Sequence, residues 1–171
     1  MSNGILLLRL ALAFLLIFGH ATQKLAGWPS GPGLDAAGDL FERWGYRPGR
    51  VMAALAGGCE LVGGVLLAAG LFTPLASALV TGTMLVAAAA AARNGLWNIN
   101  GGSELALFYA AVSASLAFTG PGRYSLDHLL DVDAAGTGWG IAAAAAALAT
   151  SAVVLLRRRW QLAARPAASA P

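Results

Sequence analysis

The side chains best suited to chemistry in this chain are polar or ionisable residues set inside long apolar stretches. The first such stretch contains Arg9, His20, Gln23 and Lys24, and the second contains Glu60. An ionised group in an apolar environment is costly unless it is paired or hydrogen-bonded. These residues could therefore bind a small ligand, carry a proton or form structural ion pairs.

The composition indicates the environment in which these residues lie. Of 171 residues, 58% are hydrophobic and 11% are charged, whereas soluble domains are about 25% charged. Eleven basic and eight acidic side chains could hardly cover a soluble globule of this size. We therefore predict an integral membrane protein. The single cysteine, Cys59, excludes an internal disulfide and a thiolate zinc cage, and we expect no metal site.

The apolar segments predict an all-α membrane protein with five membrane helices, because a bilayer core requires about 20 mostly apolar residues per helix. The helices are expected over residues 5–26, 51–71, 74–92, 103–119 and 134–156. A hairpin at Gly70–Pro74 separates the second from the third, since proline lacks the amide hydrogen. The 34–44 segment has the spacing of a short amphipathic interfacial helix, and residues 161–171 are expected to be disordered.

Helix geometry predicts which polar side chains meet. At 100° per residue, His20, Gln23 and Lys24 all lie within about 60° of Arg9 on one helical face. The end of the first helix lies on the same side of the membrane as the starts of the second and fourth. That side collects a candidate ligand-binding group, and we expect Lys24 to pair with Glu104 or Glu60. The candidate group is His20, Gln23, Lys24, Glu60 and Glu104.

The opposite side of the membrane collects Arg9 and Asp127, which are candidates for a buried ion pair. Two interpretations of the polar residues stay open. In one, His20, Lys24 and Glu60 line a cavity for a quinone headgroup, another small ligand or a proton. In the other, they are structural ion pairs that fix the helix register. The glycines around Glu60 (Gly57 and Gly64) share its face and favour close helix packing.

Lysine and arginine residues concentrate on one predicted side, which indicates a cytoplasmic C-terminus by the positive-inside rule. We expect this charge to serve topology and contact with anionic lipid, not nucleic acid. The residues on that side are Lys24, Arg43, Arg47, Arg50, Arg93, Arg157, Arg158, Arg159 and Arg165.

The quoted residues resemble the DoxX family of small bacterial membrane proteins. The resemblance runs through Arg9–Leu10, Phe18–Leu25, Glu60–Leu67, Gly70–Leu75, Gly102–Leu107 and Gly120–Asp127. It implies a four-helix transmembrane bundle over residues 1–130 in the bacterial plasma membrane. Residues 134–160 then form a fifth, additional C-terminal transmembrane helix, followed by the tail at 161–171.

The resemblance also suggests a function, because relatives are associated with a terminal quinol oxidase, thiosulfate:quinone oxidoreduction or an oxidative-stress complex. We expect a subunit of a membrane redox complex, with Lys24 and His20 as donors to a carbonyl, Glu60 as proton carrier and Glu104 fixing Lys24. The chain has no covalent cofactor motif, so a bound quinone or a partner subunit would supply the electron carrier. A non-catalytic scaffold or assembly factor is the alternative, and a homo-oligomer stays open.

Overall fold

The computed structural model describes residues 2–132 and 134–164, which are helical apart from short connections. The first helix, α1, runs over Ser2–Leu25 and contains a π-helical turn at Ile17–Ala21. The other helices are α2 (Gly33–Arg43), α3 (Gly49–Ala69), α4 (Thr73–Ala91), α5 (Glu104–Thr119), the single turn α6 (Leu126–Leu129) and α7 (Thr137–Ala163).

Four of these helices are long and apolar enough to cross a membrane, by length and composition: α1, α3, α4 with its extension to Asn94, and α7. The fifth apolar helix, α5, has 16 residues, or about 24 Å at 1.5 Å per residue, against a bilayer core of about 30 Å. Large apolar side chains such as Leu7, Phe14 and Val153 are exposed on the outer surface, as lipid-facing residues are. The chain is therefore an all-α membrane protein with four candidate spans, and a fifth is not shown.

The central helix of the bundle is α4, which packs against α3, α5 and α7, while α1 packs mainly against α3. The core between them is apolar and includes Leu16, Leu67, Val80 and Leu116, each almost completely buried. This arrangement places the polar face of α1 against α3, where Glu60 lies.

The short amphipathic helix predicted over residues 34–44 is present as α2. Its apolar face, with Ala37 and Phe41, packs with Tyr46, Ala53 and Ala90 into a second buried cluster. Because α2 packs against α3 and the end of α1, it covers the bundle beside Lys24.

The predicted hairpin between α3 and α4 is also present. Gly70 ends α3 in the left-handed region at φ 65°, and the Leu71 amide donates to the Leu66 carbonyl at 2.9 Å. Glycine adopts this conformation without steric cost, which explains the residue type here. Pro74 lies in the first turn of α4, where its missing amide hydrogen costs nothing.

The last helix is longer than predicted, because α7 continues to Ala163 instead of ending near residue 156. Its final turns are fixed by contacts with the 44–47 segment: Arg158 Nε donates to the Trp44 carbonyl at 2.7 Å, and Gln161 Nε2 donates to the Arg47 carbonyl at 3.0 Å. The first residues of the tail that was predicted to be disordered, 161–163, are therefore helical. Residues 165–171, including Arg165, lie outside the described residues.

Candidate functional site

The centre of the candidate site is an ion pair between α1 and α3. Lys24 Nζ lies 2.9 Å from Oε1 and 2.8 Å from Oε2 of Glu60. The Glu60 side chain is 2% exposed and that of Lys24 is 20% exposed. The sequence left Glu60 and Glu104 open as partners of Lys24, and the structure selects Glu60.

Glycines on α3 allow α1 to approach the carboxylate closely. A Cβ atom at Gly57 would lie 2.8 Å from Leu25 Cγ, and one at Gly64 would lie 2.9 Å from Ile17 Cγ1. Both distances are shorter than normal van der Waals contact. The prediction that these glycines pack around Glu60 is confirmed.

The π-helical turn sets the direction of the last part of α1. The Thr22 amide donates to the Ile17 carbonyl, five residues earlier, so the turn is wider than in an α-helix. Residues after the turn are set back by about one position relative to a regular helix. Arg9 before the turn and Lys24 after it both contact other elements of the bundle, at opposite ends of α1.

A cavity of about 670 Å³ lies beside the ion pair and is bounded by α1, α2, α3, α4, α5 and α7. Its volume is within the range of about 300–1,000 Å³ that holds small organic ligands. Four of the five ligand-binding candidates from the sequence lie in its wall: His20, Gln23, Lys24 and Glu60. Most of the remaining wall is apolar, including Phe41, Met52, Leu55, Ala56, Leu79, Met84, Ala106 and Val154.

A tyrosine that the sequence reasoning missed adds to the polar part of the wall. Tyr109 on α5 is 5% exposed, and its ring packs edge-to-face on the His20 imidazole, with centroids 5.4 Å apart. Among the described residues, neither the Tyr109 hydroxyl nor the His20 ring has a hydrogen-bond partner. Two polar groups therefore face the cavity with hydrogen-bonding capacity to spare.

The rest of the cavity wall carries further polar groups. Within the described part of the chain, the buried indole Nε1 of Trp44 lacks a hydrogen-bond partner. Thr150 and Ser151 on α7 donate their hydroxyl protons to carbonyls of their own helix, at 2.8 and 3.0 Å. Their oxygens can only accept further hydrogen bonds, which suits a ligand carrying a donor.

Glu104 is not part of this cluster, which corrects the expectation that it fixes Lys24. Its Oε2 accepts a hydrogen bond from the backbone N–H of Asn98 at 2.9 Å, and Glu104 is exposed. The connection before α5 folds back and brings the Asn98 amide to this carboxylate. Glu104 lines a separate, smaller pocket of about 290 Å³ together with Asn98.

Arg9 and Asp127 are both buried at the far end of the bundle, each 1% exposed, but their hydrogen-bond partners are other groups and not one another. The Arg9 guanidinium donates to four carbonyls at 2.6–2.9 Å, those of Leu67, Ala68, Pro121 and Tyr124. Asp127 accepts from the Phe72 and Thr73 amides at 2.7 and 3.0 Å and from the Thr73 hydroxyl at 2.8 Å. The two residues thus fix the α3–α4 hairpin, the start of α1 and the segment after α5 together.

Comparison with known proteins identifies the family. The DoxX family model matches residues 4–93, which is more than half of the chain. The chain belongs to the DoxX family. No curated protein and no solved structure matches this DoxX protein.

The DoxX segment contains only part of the candidate site. Residues 4–93 cover α1 to α4 and therefore His20, Gln23, Lys24 and Glu60. The walls contributed by Tyr109 on α5 and by Thr150, Ser151 and Val154 on α7 lie beyond the match. In this DoxX protein, both residues of the ion pair lie within the matched residues 4–93, whereas the side of the cavity formed by α5 and α7 lies outside them.

Proposed function

We propose that this DoxX protein binds a small, mostly apolar ligand with a carbonyl or hydroxyl head, of the quinone class, in the cavity beside Lys24 and Glu60. The observation that carries the proposal is the pair of unpartnered polar groups, His20 and Tyr109, in the wall of an otherwise apolar cavity of about 670 Å³. A quinone offers oxygens for these groups and an apolar body for the remaining wall.

In this proposal, two residues contact the ligand and two others position the helices. The Tyr109 hydroxyl and the His20 imidazole contact the polar head of the ligand. The Lys24–Glu60 pair is already hydrogen-bonded and holds α1 and α3 in the register that places His20 opposite Tyr109. A bound quinone would supply the capacity to carry electrons and protons that the chain's own side chains lack.

The family resemblance supports a wider setting for this cavity. We place the protein in the bacterial plasma membrane as the membrane subunit of a redox or oxidative-stress complex, with the C-terminus in the cytoplasm. This topology requires α5 to cross the bilayer as a fifth span. The positive-inside rule favours a cytoplasmic C-terminus, because several arginines lie at the α2 end of the bundle, where α7 ends. At the other end, Arg123 is the one exposed arginine among the described residues.

Quinone binding can be measured by fluorescence, because Trp44 lies in the cavity wall. The purified protein, reconstituted in neutral-lipid nanodiscs, is titrated with a short-chain ubiquinone analogue. We expect saturable quenching of tryptophan emission beyond that caused by partition into empty nanodiscs. Tyr109→Phe, which keeps the ring on His20, should weaken binding about 2- to 10-fold through the loss of one hydrogen bond.

The control is Tyr124→Phe, which removes a hydroxyl from an exposed tyrosine at the other end of the bundle and should leave binding unchanged. Filling the cavity with Ala106→Trp should abolish saturation. Quenching that never saturates, or that is equal for Tyr109→Phe and the wild type, contradicts the proposal.

A scaffold or assembly role is the second candidate function. The observation that favours it is the complete satisfaction of the buried charges: Arg9 has four carbonyl partners, and Lys24 has both oxygens of Glu60. A scaffold would form its complex equally well with Ala106→Trp, whereas a ligand-dependent subunit would lose activity in the same complex.

A further inference from the structure

Three arginines contact the 44–47 turn, which contains a fourth, at the end of the bundle where α3 begins and α4 and α7 end. Arg93 follows α4, and its guanidinium carbon lies 5.8 Å from the centroid of the Trp44 ring. Arg158 on α7 lies over Tyr46 at 5.2 Å, and Arg157 Nη2 donates to the Arg47 carbonyl at 2.9 Å. We refer to Arg47, Arg93, Arg157 and Arg158 as the arginine cluster.

Carboxylates balance only part of this charge. The ion pairs found among the described residues of this end join Arg47 to Glu42 at 3.8 Å and Arg50 to Asp35 at 3.1 Å. The arginines of α7 donate instead to neutral backbone carbonyls. A guanidinium has five N–H donors, so each keeps donors for an anion.

The cluster lies at the level where lipid headgroups are expected. It adjoins the ends of α4 and α7, two helices long and apolar enough to cross a membrane. Trp97, four residues after Arg93, is 61% exposed, and Trp160, two residues after Arg158, is 73% exposed. Tryptophan favours the boundary between headgroups and acyl chains, which sets this surface beside phosphate groups.

We propose that the arginine cluster is a binding site for the phosphate of an anionic phospholipid headgroup. Guanidinium groups bind phosphate oxygens through paired, charge-assisted hydrogen bonds. A lipid phosphate at this place would connect α4 and α7 through the turn that holds Trp44 and Tyr46. Both residues line the cavity, so the bound lipid also stabilises the cover of that cavity.

The test compares lipids on the purified full-length protein in neutral detergent. Native mass spectrometry counts retained lipid, and thermal unfolding measures stabilisation, with phosphatidylglycerol, phosphatidylcholine or inorganic phosphate added. We expect retention and a raised Tm with phosphatidylglycerol only. The variant Arg93→Gln/Arg157→Gln should bind it more weakly, by about 5-fold for each charge removed. Arg123→Gln at the opposite end, which removes one arginine charge away from the cluster, should bind as the wild type does.

Three results would overturn the site. Equal stabilisation by inorganic phosphate would indicate a free-anion site, and equal retention of phosphatidylcholine would indicate contact with acyl chains alone. Equal phosphatidylglycerol retention in the cluster variant and Arg123→Gln would place the lipid elsewhere. If the double variant does not fold, the salt dependence of phosphatidylglycerol binding by the wild type provides the test. Binding through arginines must weaken as salt is added, and binding that does not depend on salt contradicts the proposed site.

Discussion

Lys24 and Glu60 are 36 residues apart, yet the ammonium nitrogen of Lys24 lies within 2.9 Å of both carboxylate oxygens of Glu60. The pair joins α1 to α3 at a place where the carboxylate is almost inaccessible. Each charge therefore depends on the other for compensation.

Removing one member of this pair should destabilise the protein more than removing both. Glu60→Gln or Lys24→Met leaves an uncompensated buried charge, and we expect a loss of about 3–5 kcal/mol in the free energy of unfolding. The double variant should recover a substantial part. Unfolding by sodium dodecyl sulfate, followed by circular dichroism, measures these differences.

The control for the ion-pair series is Arg50→Gln, which breaks the pair with Asp35 at 68% and 82% side-chain exposure. An exposed pair contributes about 0–1 kcal/mol, so stability should hardly change. Double and single variants of equal stability would show that the two charges do not depend on each other.

A methyl group at Gly57 should separate α1 from α3. Gly57→Ala places a Cβ 2.8 Å from Leu25 Cγ, next to Lys24, so we expect a loss of about 1–3 kcal/mol and weaker quinone binding. The neighbouring Gly58→Ala meets no atom within 4 Å and should be neutral or slightly stabilising. Equal stability of the two variants, measured in one unfolding series, would argue against close helix approach.

Tyr46 should make stability depend on pH in the alkaline range. Burial raises the pKa of this tyrosine above its ordinary value, and the charge of Arg158 opposes the shift only partly. Because the folded-state pKa is raised, the unfolded state loses its proton first, and stability falls as pH rises above about 10. Tyr46→Phe should reduce this fall relative to the wild type between about pH 9 and 11.

The same substitution provides a baseline for the pH experiment. The Tyr46 hydroxyl donates to the Val86 carbonyl at 3.2 Å, so Tyr46→Phe should cost about 1 kcal/mol at neutral pH. If the stability of the two proteins falls in parallel up to about pH 11, ionisation of Tyr46 does not contribute to the loss of stability at alkaline pH.

Cys59 offers a chemical test of access to the cavity. It is the only cysteine, it is partly exposed, and it lies in the cavity wall next to Glu60. We expect N-ethylmaleimide to label it, and a saturating quinone analogue to slow labelling several-fold, as followed by intact mass. Cys59→Ser should give no adduct. Labelling at the same rate with and without the analogue would indicate that the ligand binds outside this cavity.

The sequence predicted most elements that position the site. Polar residues in apolar runs indicated α1 and α3 as the carriers of the site, and Gly70 with Pro74 indicated the hairpin. The sequence could not show whether Glu60 or Glu104 pairs with Lys24, because both were expected on the same side of the membrane as Lys24. The answer depends on the connection before α5, in which the backbone N–H of Asn98 donates to the Glu104 carboxylate.

The contacts of Arg9 and Tyr109 could not be predicted from the spacing of residues along the sequence. Arg9 was expected to pair with Asp127 by charge, but backbone carbonyls at the end of α3 and after α5 lie closer to its donors. Tyr109 lies in an apolar helix, where an aromatic residue is typical of a core position. Only the packing of α5 against the bundle brings its hydroxyl to the cavity and its ring to His20.

The boundary of the family match at residue 93 limits what can be transferred between relatives. A second protein that shares this segment but differs afterwards would inherit the ammonium–carboxylate pair without inheriting Tyr109, Thr150 or Ser151. Homology over the first part of such chains therefore predicts the ion pair between α1 and α3, whereas the ligand has to be identified for each protein separately.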